Sequence, residues 1–192
     1  MSTGPTSEER LLAAQVDGAL PSRGPIVLVE YDPGWPRLFE REEARIRDAL
    51  GPAALQVEHA GSTSIPGLAA KPIIDVLLVV ADSADEAAYV PALERAGYVL
   101  RIREPDWFEH RLLKSTNPSV NLHVFSRGSA EVERMLRFRD HLRANTSDRE
   151  LYERTKRELA GREWTYVQHY ADAKSDVVEA ILARASSPAA GS

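Results

Sequence analysis

The chain has 192 residues, 43% of them apolar and 28% charged, with a net charge of −5 and no cysteine. That length buries one substantial core with room for a helical annex, and the acidic balance argues against non-specific nucleic-acid binding as the main role. Without cysteine there are no disulfides and no thiolate chemistry, so any metal site falls to carboxylate, imidazole or carbonyl ligands. No apolar run reaches the about 18 residues that would suggest a membrane helix. The N-terminal MSTGPTSEERLL lacks the basic and apolar regions of a secretory signal, and a cytoplasmic protein is expected.

Residues 1–24 are polar and weakly patterned and read as a flexible, loosely attached arm, with a short helix within EERLLAAQVDGAL. Ile26–Glu30 reads as a strand. Asp32 before Pro33 suits an N-cap, and Trp35, Leu38, Phe39, Ile46, Ala49 and Leu50 share one face of the helix that follows, up to the stop at Gly51-Pro52. Strands follow at Leu55–His59 and Ile73–Val80, then a helix over Ser83–Ala96 that Pro91 kinks or restarts, then a strand at Tyr98–Arg103. Trp107–Lys114 and Val120–Phe125 form an antiparallel pair around the turn signal STNPS. After Gly128 the pattern is helical: Ser129–Arg143, Ser147–Ala160 and Thr165–Ala185, with 187–192 as a disordered tail. The basic residues between Arg134 and Arg157 alternate with acids, as on a solvated helix face. The order implies an α+β domain over 25–127 and a C-terminal helical region over 128–186 packed on it, with a ligand crevice between them.

Chemistry concentrates in VEHAGSTSIPGLAAKPIIDVLLVV, residues 57–80. Gly61, Ser62, Thr63 and Ser64 follow a strand and supply close backbone N–H groups and three hydroxyls, as an anion cradle does. The spacing fits neither a P-loop nor a G-x-S-x-G or S-x-x-K nucleophile, and a plain tight connection is the alternative. Asp75 heads a strand that is apolar on both faces, sharing its face with Leu77 and Val79. A carboxylate there needs a partner. That partner is either Lys71 or a guest, a metal ion and the phosphates held by the Ser62 loop. Asn121, His123 and Phe125 repeat the pattern on a later strand, and His123 comes near Asp75 if the two strands are neighbours. His123 and His59, on the strand entering the loop, are each either structural or functional.

The block HAGSTSIPGLAAKPIIDVLLVV resembles the signature of the GrpB family, and VNLHVF, LRFRDHLRAN, LYERTKRELA and YVQHYADAKSDVVEAIL resemble its later blocks in order, from about Ile26 to Ala185. That family is similar in fold to nucleotidyltransferases, which implies a nucleotidyltransferase-like mixed sheet with a C-terminal helical annex. In active members a Gly-Ser loop positions nucleotide phosphates, and two strand carboxylates with a third from a later strand hold magnesium for in-line transfer. Gly61 and Ser62 match the loop pair and Asp75 matches the first acid, but the second acid's position holds Leu77 and the third falls near His123.

The resemblance therefore implies at most one divalent metal, magnesium or another, on Asp75 and His123. It also implies His123 or His59 as a base, with Gly61, Ser62, Thr63, Ser64, Lys71, Arg111, Lys114 and Lys174 on a nucleoside triphosphate or other phosphorylated ligand. Arg139, Asp140, Lys156 and Tyr170 either line the crevice or dock helices. Two functions fit: a metal-dependent transferase moving a nucleotidyl group to a small acceptor, or a catalytically degraded nucleotide- or metabolite-binding module. A helical docking protein is a third, permitted by the residues and favoured by none of them.

Overall fold

A computed structural model describes residues 5–186. Five strands, β1 (Gln56–Ala60), β2 (Ile74–Val80), β3 (Val99–Glu104), β4 (His110–Thr116) and β5 (Ser119–Ser126), form one mixed sheet in the order β1-β2-β5-β4-β3. β2 runs parallel to β5 and antiparallel to β1, and β5-β4-β3 is an antiparallel run. The expected α+β class and mixed sheet are what the chain adopts. β2 is a central strand, and it is apolar on both faces because helices pack on each side of it.

Two helices cover the face that carries Ile74, Val76 and Leu78, all buried. These are α2 (Trp35–Leu50), which buries Trp35 and Ile46, and α3 (Val90–Arg95), which buries Leu93. The cap of α2 sits later than its sequence suggests: Gly34 is the N-cap, Asp32 Oδ1 accepts from its amide at 2.7 Å, and Pro36 lies in the first turn. The helix expected over Ser83–Ala96 is divided into a 3-10 turn at Glu86–Ala88 and α3, with Pro91 at its start because proline has no N–H to continue the earlier turn.

The opposite face carries Asp75, Leu77 and Val79. Its apolar part packs on Val132 and Met135 of α4 (Ala130–Ala144), which is followed by α5 (Thr146–Ala160). The last expected helix divides at Ala173-Lys174 into α6 (Val167–Asp172) and α7 (Ser175–Ser186). Ile65 and Leu68, at the exit of the Gly61–Ser64 loop, are fully buried against Leu142, Tyr152 and Ile181 of these helices. Burial on the order of 2 kcal/mol per side chain makes that loop part of the scaffold rather than a mobile connection.

Two expectations change. Residues 5–24 do not hang loosely: α1 (Glu8–Ala13) buries Leu11, Val16 joins the main core, and Gln15 bridges Ile102 on the outer strand β3. Amides of Val16 and Arg103 bond across that edge at 3.0 and 2.9 Å, satisfying groups an open edge would leave bare. Ile26–Glu30 is not a strand of the sheet; it makes a single bridge, Val29 to Ala70, since its neighbour is the loop and not a strand. The expected tail at 187–192 lies outside the described residues. Among those described, no helix is long and apolar enough to cross a membrane.

Candidate functional site

Register places the polar residues. Asp75 on β2 is opposite Asn121 on β5, and Asn121 is opposite Lys114 on β4, so the three side chains stand in one row on the helix-facing side. One pair further along, Leu77, His123 and Leu112 make the next row. Asn121 Nδ2 donates to Asp75 Oδ1 at 2.9 Å, and His123 Nε2 lies 3.7 Å from the same oxygen. The Asp75 side chain keeps 27% of its surface open and faces a pocket of about 730 Å³. The pocket is walled by this sheet face, the Gly61–Thr63 loop, residues 11–28, α5 and α6.

Gly61 is required where the loop meets the acid. Its φ is +62°, and a Cβ there would stand 2.1 Å from Asp75 Oδ2. Beyond it, Ser62 Oγ accepts from Lys156 Nζ at 3.0 Å, and Lys156 also donates to the Ala69 carbonyl. The chain has four lysines, at positions 71, 114, 156 and 174, against 20 arginines. All four lysines line this one pocket. Among the described residues none of them lies within 4 Å of a carboxylate oxygen, whereas arginines such as Arg103, Arg111 and Arg184 are bound to acids elsewhere.

The electrostatics follow from that crowding. Burial lowers every lysine in the pocket, Lys156 to about 7 and Lys174 to about 8, and the Lys174 charge lowers Lys71 and Lys156 further. Asp75 pulls each of the four the other way, as the carboxylate among them. Burial pushes the Asp75 carboxyl up, but His123, Asn121 and Lys71 outweigh it and hold it below the ordinary aspartate range.

The expected residues divide cleanly. Gly61, Ser62, Thr63, Lys71, Asp75, Lys114, His123 and Lys174 all line the pocket, and Lys156 and Tyr170 join them, with Lys174 Nζ 4.5 Å from the centre of the Tyr170 ring. His59 is not among them. It pairs with Val76, so it lies on the other face of the sheet, stacked on Phe39 at 4.7 Å between ring centres. Burial holds it neutral, with its pKa lowered to about 4. The Thr63 hydroxyl donates to the Ile73 carbonyl and so accepts from His59 Nε2, which makes His59 a prop beneath the loop. Ser64 is buried away from the pocket, donating to the Gly61 carbonyl, and Arg143 clamps its carbonyl from α4. Arg111, one residue out of phase with Leu112, is held on the far face by Glu86 and Glu109. Arg139 docks α4 on β1 through Glu58 and the His59 carbonyl.

One neighbour of these residues is not singled out by the sequence. His110, 3% exposed, places Nε2 3.0 Å from His123 Nδ1 and Nδ1 2.7 Å from Glu104 Oε2. The hairpin turn at Asn117-Pro118 sets the β4–β5 register that brings these histidines together, 13 positions apart. As to a metal, Asp75 Oδ1 and His123 Nε2 are the two donors that converge. Among the described residues no group of three or more His, Asp or Glu could hold an ion, so any cation would complete its shell with water or with a ligand's oxygens.

The fold and site define an α+β protein in which a mixed sheet and a helical layer enclose a lysine-lined pocket around one carboxylate. Residues 25–184 match the family model described as GrpB protein. The chain belongs to the GrpB family. It is 62% identical to UPF0157 protein BH1888 of Halalkalibacterium halodurans over 181 residues, 94% of this chain and 93% of that one. The crystal structure of conserved protein GrpB from Enterococcus faecalis is similar at 31% identity and a TM-score of 0.73, covering 83% of this chain and 96% of that one. A dephospho-CoA kinase of Mycobacterium bovis is 34% identical over 158 residues, 68% of this chain but 39% of the kinase.

Proposed function

We propose that the protein binds a nucleotide or another phosphate-bearing small molecule in this pocket, with a divalent cation joining its phosphates to Asp75 and His123. The observation that carries this reading is the gathering of all four lysines around one pocket with a single carboxylate, Asp75, among them and, among the described residues, no ion pair within 4 Å to any of the four. Buried ammonium groups crowded together are costly, and a polyanion would repay that cost by restoring their charge. Lysine serves phosphate as a mobile point charge, and Ser62 adds a hydroxyl beside Lys156. A volume of about 730 Å³ suits a ligand larger than phosphate alone, and Leu20, Ile26, Leu28 and Tyr166 would face its uncharged part. The likeness to part of a dephospho-CoA kinase supports a phosphorylated nucleotide as the class. A bound cation would neutralise phosphate oxygens beside Asp75.

Transfer of a nucleotidyl group to a small acceptor is the second reading, favoured by the approach of His123 Nε2 to Asp75. Binding is the stronger one, because Leu77 and His123 stand where two further carboxylates would be needed for a two-metal reaction. A thermal-shift series decides between them, with ATP, GTP, CTP, UTP, coenzyme A and tripolyphosphate, each with and without Mg²⁺ or Mn²⁺. A ligand at one hundred times its Kd stabilises by about 2.7 kcal/mol, which for a chain of this size raises Tm by roughly 5–10 °C. Pyrophosphate release from a bound triphosphate would establish turnover. If no polyphosphate compound moves Tm at millimolar concentration, the proposal fails.

A further inference from the structure

We infer that Glu104 and His110 are positioning residues that fix the tautomer of His123, turning its Nε2 lone pair onto Asp75 and making the pair selective for a later first-row transition cation such as Co²⁺ or Zn²⁺ over Mg²⁺. The inference rests on the reading that the pocket holds a cation with a phosphate-bearing ligand, and it specifies which cation.

The argument runs inward from the surface. Glu104 is partly open to solvent, with 35% of its side chain exposed, and its carboxylate can only accept. The hydrogen of the 2.7 Å contact therefore sits on His110 Nδ1. In a neutral ring that leaves Nε2 of His110 as an acceptor, and His123 Nδ1 must supply the hydrogen at 3.0 Å. The His110 ring cannot turn to undo this. It is buried between Phe125, stacked at 4.8 Å, and Trp107, edge-on at 5.0 Å. In its neutral form His123 is thus left with a bare Nε2, and that atom, which takes the proton when the ring is charged, faces Asp75 Oδ1.

Two acceptors facing one another draw in a positive charge: a proton on His123 when no metal is bound, which is how His123 holds the Asp75 carboxyl down, or a cation in its place. At 3.7 Å they are too far apart for a good hydrogen bond. Ligands on one cation with bonds of about 2.1 Å stand roughly 3 to 3.5 Å apart, a few tenths of an ångström closer than here. The carboxylate–imidazole chain behind His123 is also the arrangement that orients imidazole ligands and raises their basicity. An imidazole nitrogen favours Co²⁺ or Zn²⁺, later in the divalent affinity order, whereas Mg²⁺ prefers an all-oxygen shell. Lys71 and Lys174 repel a cation from the emptied pocket, since both act electrostatically on Asp75 or are acted on by it. Cation and polyphosphate should therefore bind cooperatively, each raising the affinity of the other by the same factor.

The test needs no turnover. Imidazole ¹⁵N spectra of the full chain without metal, followed as pH rises and assigned with His110→Phe and His123→Gln, should show the neutral form of His123 protonated on Nδ1 and bare on Nε2. In His110→Phe, which keeps the aromatic packing but offers no acceptor, His123 should shift toward the Nε2-protonated form. Glu104→Ala changes a half-exposed side chain and should produce the same shift more weakly, so the test survives if His110→Phe does not fold. Co²⁺ titrated with tripolyphosphate should bind about 10- to 100-fold more weakly in these two variants, and tenfold excess Mg²⁺ should not displace it from the wild type. A neutral His123 that keeps its proton on Nε2 in the wild type, unchanged Co²⁺ affinity in both variants, or ready displacement by Mg²⁺ each overturns the inference. The wild-type response to tripolyphosphate without metal is read separately and decides the phosphate reading alone.

Discussion

Lys156 Nζ donates to Ser62 Oγ at 3.0 Å, joining α5 directly to the loop that follows β1. Lys156 is 2% exposed, and its other bond goes to the Ala69 carbonyl, so the helix places a positive charge in the pocket with only neutral acceptors beside it. A buried cation so placed contributes little to holding the fold and much to holding an anion.

Replacing Lys156 by Met keeps the length of the side chain and removes the charge. The ligand-free Tm is expected to hold or rise, while affinity for tripolyphosphate falls at least about tenfold, the scale of one charge-assisted hydrogen bond of roughly 1.5–3 kcal/mol. Paired thermal shifts and calorimetric titrations read both quantities. A lower Tm with undiminished affinity would make Lys156 a structural strut.

The pH dependence has a definite sign. Burial lowers Lys156 from 10.5 to about 7 and Lys174 from 10.5 to about 8. Between the lowered values and 10.5 the unfolded chain holds protons that the folded chain has released, so stability of the ligand-free protein rises with pH across that window. Below pH 7 both states are protonated at Lys156 and its contribution is constant. A polyanion reverses the shift, so binding at pH 8 should take up protons, and affinity should fall as pH rises from 7 to 9. Calorimetry in buffers of different ionisation enthalpy measures the uptake. Proton release, or none, contradicts this account.

Asp75→Asn removes the carboxylate that offsets the four lysines while keeping an oxygen for Asn121. The ligand-free fold should lose about 1–3 kcal/mol, the scale of a lost charged partner. Tripolyphosphate without metal should bind equally well or more tightly, and the extra stabilisation from a divalent cation should vanish. Retention of that extra stabilisation would place the cation elsewhere.

Gly61→Ala strains a backbone at φ +62° and sets a methyl group 2.1 Å from Asp75 Oδ2. Destabilisation of at least about 1–3 kcal/mol is expected, together with loss of the cation-dependent shift as the carboxylate is pushed aside. Urea unfolding and thermal shift measure the two effects.

The strands that build the site were legible because each shows its alternation locally. The shared face of Asp75, Leu77 and Val79 and the matching face of Asn121, His123 and Phe125 needed only the parallel pairing of β2 with β5 to bring acid and imidazole together. What remained hidden depends on register between distant segments. His59 and Asp75 are both on strands that meet the loop, yet the antiparallel offset puts His59 opposite Val76 and so on the far face. Arg111 differs from Leu112 by one position and from the pocket by the thickness of the sheet. His110 matters only through rings and atoms brought to it by the β4–β5 hairpin. The scarcity of lysine was visible in composition, but counting lysine and arginine together conceals it.

The wall of the pocket formed by Leu11, Gln15 and the run from Ala19 to Ser22 precedes the span 25–184 that matches the family model. The charged floor lies within that span and this wall lies outside it. If the pocket holds a phosphate-bearing ligand as proposed, exchanging residues of this wall would change which molecule carries the phosphates while leaving the grip on them intact.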